Sequence, residues 1–217
     1  MLKAFIFDMD GVLIDSPKII QKTFAEILKE DGVDFNEENI GRYLGHSIKD
    51  MLKIWEKDYG IKGYNIQEFS RRCGKKELEI LKKDVKPDER VIKFLKDAKF
   101  KGIKLAVATS SLKWRAIEIL NFLNIKDMFD AIVSAEDVEK HKPEPDVFLE
   151  AAKRLNENPQ NCIVFEDAKN GVEAARRSNM KVIAIKNGIC SEEDLKDADM
   201  IINNFSEINL EKLYSLF

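Results

Sequence analysis

Short apolar runs rich in β-branched and aromatic residues alternate with helix-period stretches along most of this 217-residue chain. That alternation restricts the fold more than any other feature, because each pattern must bury its apolar side against the other. Residues 3–7, 103–108, 131–134, 162–165, 182–185 and 200–202 read as strands. Residues 89–100, 112–123, 146–155 and 168–178 read as amphipathic helices between them, with Asp88 and Asp146 at the expected N-caps. Strand followed by helix, repeated, implies right-handed crossovers and a mostly parallel sheet. The runs are continuous rather than alternating, as strands covered on both faces require. The expected class is α/β, a Rossmann-like parallel sheet core with helices on both faces.

Residues 17–84 break the rhythm. No strand is expected there; 17–31, 37–44, 48–58 and 66–83 all read as helices, and Ile20, Phe24, Ile27 and Leu28 have the spacing of one buried helix face. A block this long is not an ordinary strand-to-helix connection. It reads as an inserted all-helical domain with its own small core, and Lys86-Pro87-Asp88 marks the return to the sheet. The expected organisation is a core domain from 1–16 and 85–217 and a helical domain from 17–84.

Composition narrows the chemistry. The 36 Lys and Arg residues are interleaved with 39 Asp and Glu, and the net charge of -3 argues against a nucleic-acid partner. Cys73, Cys162 and Cys190 are an odd number, far apart, which points to free thiols in a reducing compartment. With His46 and His141 the only histidines, a His-rich or Cys/His zinc site is excluded. No segment reaches the ~18 apolar residues of a membrane span, and Asp8 interrupts the first apolar run too early for a signal peptide. The chain is therefore expected to be soluble and cytoplasmic, with carboxylates and lysines as its acids and bases.

Four segments carry chemistry, each at the end of an expected strand or the start of the helix after it. The first is Asp8-Met9-Asp10-Gly11 after strand one. Asp8 and Asp10 point to opposite faces of a continuing strand, so they converge only if the chain bends at Met9, which Gly11 permits. Two close carboxylates repel, which implies a cation or a shared proton. The second is the hydroxyl cluster Thr109-Ser110-Ser111; the third is Lys142 on a proline-stiffened loop; the fourth is Glu166-Asp167. Singly these read as a turn, a solvated lysine and an acidic helix start. Together they set acids, hydroxyls and an ammonium along one sheet edge, where open α/β sheets bind ligands. Hard oxygen donors suit magnesium, and Lys and Thr suit phosphoryl oxygens.

In this order the four segments resemble the motifs of the haloacid dehalogenase superfamily, in its subgroup with a helical cap after strand one: Asp8-x-Asp10 the first, Thr109 the second, Lys142 the third and Glu166-Asp167 the fourth. The resemblance covers essentially the whole chain. It implies a sheet ordered 3-2-1-4-5 with the last strand at the edge, and a cap that closes over the site. It implies Asp8 as nucleophile forming an aspartyl-phosphate and Asp10 as acid and base. Thr109, Ser110 and Lys142 would bind phosphate. Mg2+ would be held at Asp8, the Asp10 carbonyl and Asp167, with Glu166 supporting the metal site.

Asp10 speaks against a dehalogenase or phosphonatase, whose chemistry needs no second aspartate there. The resemblance to β-phosphoglucomutase-like enzymes is closer, but Ile20 stands where those mutases usually carry a histidine. The cap stretch 44–49 is similar to their substrate-reading loop without matching its charges, which leaves His46 and Lys49 as candidate substrate contacts. The expected activity is a phosphatase acting on a small phosphorylated sugar or phosphoglycolate, with a phosphomutase as the alternative. A receiver-like signalling domain uses similar residues at half this length, and a non-catalytic binding protein would not need the full acid set. The expected partner is a small phosphorylated metabolite, with no nucleic acid and no membrane.

Overall fold

The computed structural model describes residues 1–33, 48–60, 63–188 and 190–216. It divides into two compact units, Met1–Asp15 with Lys86–Phe217, and Ser16–Val85.

The first unit is an α/β sandwich. Its strands are β1 (Ala4–Phe7), β2 (Lys104–Ala108), β3 (Ala131–Val133), β4 (Cys162–Glu166), β5 (Lys181–Ile185) and β6 (Met200–Ile202). All pairings are parallel, in the order β3-β2-β1-β4-β5-β6, so β1 is central and flanked by β2 and β4. The expected strand order is borne out. β4 runs one residue further than its apolar run, because Glu166 still pairs with Ala184.

Strand periodicity sorts the core into two layers. Ala4, Ile6, Ala106, Ala108, Cys162, Val164, Val182 and Ala184 belong to one cluster with Phe148, Ala151 and Ala152 of α6 (Asp146–Arg154) and Val172, Ala174 and Ala175 of α7 (Lys169–Arg177). Alanines on both partners let the helices approach the sheet closely. The alternate residues Phe5, Phe7 and Phe165 form an aromatic cluster with Phe94 of α4 (Glu89–Phe100), and Phe205 packs on Phe7, Phe94 and Phe165, at centroid separations of 4.7–6.4 Å. Asp88 caps α4 as expected, its carboxylate accepting from the Arg90 N–H at 2.8 Å. Asp146 does not cap α6. Pro145 occupies the N-cap and its carbonyl accepts from Phe148 and Leu149, so Asp146 is the first helical residue, where it still complements the helix dipole.

The second unit contains α1 (Pro17–Glu30), α2 (Ile48–Tyr59) and α3 (Ile66–Asp84). Phe24, Ile27 and Leu28 of α1 pack with Trp55, Phe69 and Cys73, with Ile20 half-buried beside them. Trp55 and Phe69 are 0% and 1% exposed, which makes them core residues. Asn65 caps α3 by accepting from the N–H groups of Gln67 and Glu68 at 3.0 and 3.1 Å. The expected helix at 37–44 and the candidate His46 lie outside the described residues; Lys49 is in α2, with its side chain likewise outside them. No helix among the described residues is long and apolar enough to cross a membrane.

Candidate active site

The site lies within the first unit, at the C-terminal ends of β1, β2 and β4. β1 ends at Phe7, and the next residues bend as the sequence requires: the Met9 carbonyl accepts from Leu13 and Ile14 at 3.0 and 3.2 Å, and Gly11 has φ of +81°. Gly11 is needed for a second reason. A Cβ there would overlap the Asp167 carboxylate and the Asn187 amide, so glycine lets the loop after β1 approach the loop after β4.

Lys142 is the hub. Its Nζ donates to Asp8 Oδ1 at 2.5 Å and to Glu166 Oε1 at 2.6 Å, with the Ala108 carbonyl at 3.3 Å, so one ammonium ties β1, β2 and β4 together. Its side chain is 8% exposed and its charge lies 4.8 Å from the Phe148 ring centre. A lysine is rarely this buried unless paired. Burial opposes its charge, yet the Asp8 and Glu166 carboxylates outweigh that and hold it above the ordinary lysine value.

The acids are strained electrostatically. Burial pushes Asp8 up to about 7; Lys142 pulls it down, while Glu166 and Asp10 push it up again. Burial, then Glu166 and Asp8, raise Asp167 to about 9, against the pull of Lys142 and of the Asn187 amide that donates to it at 2.5 Å. Glu166 has both oxygens occupied: Oε1 by Lys142, and Oε2 by the N–H groups of Asp167 and Ala168 at 2.8 and 3.0 Å. It therefore fixes Lys142 and the loop carrying Asp167.

Three carboxylates around one ammonium leave an excess of buried negative charge, and a hard divalent cation would relieve it. Among the described residues no group of three His, Cys, Asp or Glu side chains is arranged to hold a metal ion. The donor set nonetheless suits magnesium, which keeps several waters and takes only one or two carboxylates from a protein. Asp8 and Asp167 are the two carboxylates here that could hold such an ion, since Glu166 has both oxygens occupied.

Thr109 is buried at the end of β2 and its Oγ1 accepts from the Ser111 N–H at 3.0 Å, which leaves the hydroxyl hydrogen to donate elsewhere. Ser110 is exposed beside it, and His141 is also on the surface. Two residues are not singled out by the sequence: Arg115, which forms a pair with Ser111 of the hydroxyl cluster in holding the Asp10 carboxylate, and Asn187, which holds Asp167. A Ser and an Arg four residues apart at a helix start were the only local sign of the first pair.

A family model for haloacid dehalogenase-like hydrolases matches residues 5–185. The chain belongs to the haloacid dehalogenase-like hydrolases. It is 32% identical over 182 residues to a phosphorylated carbohydrates phosphatase of Thermotoga maritima, covering 84% of each chain. It is 31% identical over 181 residues to a phosphoglycolate phosphatase of Aquifex aeolicus, covering 83% of each. The crystal structure of a β-phosphoglucomutase from Clostridium difficile superposes with a TM-score of 0.80 at 28% identity, over 99% of this chain and 96% of that one. The resemblance drawn from the motifs, the Rossmann-like α/β core and the assignment to a phosphatase-type enzyme of this hydrolase family are all borne out.

Proposed function

We propose that this haloacid dehalogenase-like hydrolase is a magnesium-dependent phosphatase of small phosphorylated metabolites, a sugar phosphate or phosphoglycolate, acting through an aspartyl-phosphate. The observation that carries the reading is the buried Asp8–Lys142–Glu166 chain at the end of the central strand, with Asp10, Thr109 and Asp167 around it. The two phosphatase relatives support the substrate class.

Asp8 presents a carboxylate oxygen to phosphorus. As the Asp8–phosphorus bond forms, the bond to the leaving oxygen breaks, and that oxygen takes its electron pair and a proton from Asp10. Water then attacks phosphorus and gives its proton to Asp10, and the electron pair of the broken bond returns to Asp8. Lys142 favours the ionised form of Asp8 against its burial and, with Thr109 and Ser110, binds phosphoryl oxygens whose charge changes in the transition state. Glu166 holds Lys142 in place, and Asn187 holds Asp167. Magnesium, held by Asp8, Asp167 and the Asp10 carbonyl, would supply positive charge opposite the phosphoryl oxygens. Residues 17–84 form the cap domain that selects the substrate, with His46 and Lys49 as its candidate contacts. The free thiols of Cys73, Cys162 and Cys190 are consistent with a cytoplasmic enzyme.

The likeness to a β-phosphoglucomutase supports a second reading, in which the phosphoryl group returns to a sugar instead of passing to water. Incubation with sugar phosphates and phosphoglycolate, with β-glucose 1-phosphate as the mutase substrate, separates the two. A phosphatase releases inorganic phosphate with magnesium and forms no glucose 6-phosphate. Isomerisation without phosphate release would establish the mutase.

A further inference from the structure

Asp10 is gripped from the start of α5 (Lys113–Phe122). Arg115 Nη1 donates to Asp10 Oδ2 and Nη2 to Oδ1, each at 2.7 Å, while Ser111 Oγ donates to Oδ2 at 3.0 Å. Arg115 Nη1 also donates to Ser111 Oγ at 2.5 Å, which closes a ring of three groups. The arginine side chain is 11% exposed and its partner lies 105 residues earlier in the chain.

A part-buried ion pair of this kind, with the Asp10 side chain 26% exposed, adds little net stability, so stability alone does not account for it. What it does impose is orientation: two parallel N–H···O bonds fix the plane of a carboxylate.

We propose that Arg115, together with Ser111, is the positioning device for Asp10, setting from within the core unit the direction in which the acid meets the leaving oxygen. This rests on the reading of Asp10 as acid and base. The consequence is specific to chemistry that needs a proton. An ester whose alcohol departs poorly depends on the grip, and one whose leaving group departs readily as an anion does not.

The test compares kcat/KM, which reports the phosphoryl-transfer half-reaction, on phenyl phosphate and p-nitrophenyl phosphate. Arg115→Met is expected to lower the phenyl phosphate value at least about tenfold more than the p-nitrophenyl phosphate value, as expected when acid catalysis contributes about 10²–10⁴-fold. Arg115→Lys keeps the charge without the two-point fit and falls between. In an Asp10→Asn background, Arg115→Met should change neither value further, since it acts only through Asp10. Ser111→Ala leaves the ion pair and should shift the ratio in the same direction by less, which keeps the test available if Arg115→Met does not fold. An unchanged ratio in the folded variants, or an Arg115 effect that persists beside Asp10→Asn, overturns the proposal. If Asp10→Asn itself leaves the ratio unchanged, the reading of Asp10 fails first, and the two failures are thereby told apart.

Discussion

Gly171 lies within α7 and faces the buried carboxylate of Glu166; a Cβ there would overlap the carboxyl carbon and both oxygens. On helix propensity alone, Gly171→Ala should stabilise α7 by about 1 kcal/mol. Against that stand the three bonds Glu166 makes, to Lys142 at 2.6 Å and to the N–H groups of Asp167 and Ala168 at 2.8 and 3.0 Å. Hydrogen bonds to a charged group contribute roughly 1.5–3 kcal/mol each, and disrupting a buried ion pair costs about 3–5 kcal/mol. Glu166 and Lys142 are 2% and 8% exposed in their side chains, so solvent offers little relief. The displacement outweighs the propensity gain, and the expected net loss is about 2–4 kcal/mol, a fall in Tm of roughly 5–15 °C for a chain of this size. Turnover should fall in parallel, because Lys142 loses its second anchor. Thermal unfolding followed by circular dichroism, with phosphate release on the same samples, checks both. A Gly171→Ala protein as stable and as active as the parent would refute the assignment of Glu166 as the fixed support of Lys142.

Asn187→Ala removes the amide that donates to Asp167, and magnesium affinity should fall about 10–100-fold, measured by calorimetric titration; an unchanged affinity removes Asn187 from the metal site. The buried acids predict a pH dependence. Asp8 and Asp167 rise from 3.8 to about 7 and about 9, so their contribution to stability is complete below pH ~4 and is lost as pH rises through those values. In EDTA the first unit should melt lower at pH 9 than at pH 6, and added magnesium should raise Tm more at pH 9; a magnesium effect equal at both would contradict this. Phe69→Ala empties a 1%-exposed position in the helical core and should cost that unit about 3–5 kcal/mol, seen as preferential proteolysis within residues 16–85.

The sequence was informative where chemistry is tied to the ends of strands. Asp8, Thr109 and Glu166 each follow a continuous apolar run, so chain order and strand position alone were enough to bring them to one edge. Lys142 was legible only as a member of that set, since nothing local distinguishes a lysine after His141 from a solvated one. Arg115, and the bond of Ser111 to Asp10, are out of reach for a different reason: the partner Asp10 lies more than a hundred residues away, and Arg115 on a helix start reads as surface charge. Asn187 was hidden likewise, in a loop after β5 that meets Asp167 only once the sheet has formed. Asp146 reads as a cap because aspartate favours that position, while the proline before it takes the place instead.

Trapping the covalent intermediate tests the central claim most directly. Acid quenching during turnover of a reactive phosphate ester, followed by peptide mass analysis, should find one phosphoryl group on the peptide bearing Asp8. It should be absent from Asp8→Asn, which should also release no phosphate. An Asp8→Asn enzyme that still turns over, or a phosphoryl group found on another residue, would contradict the account.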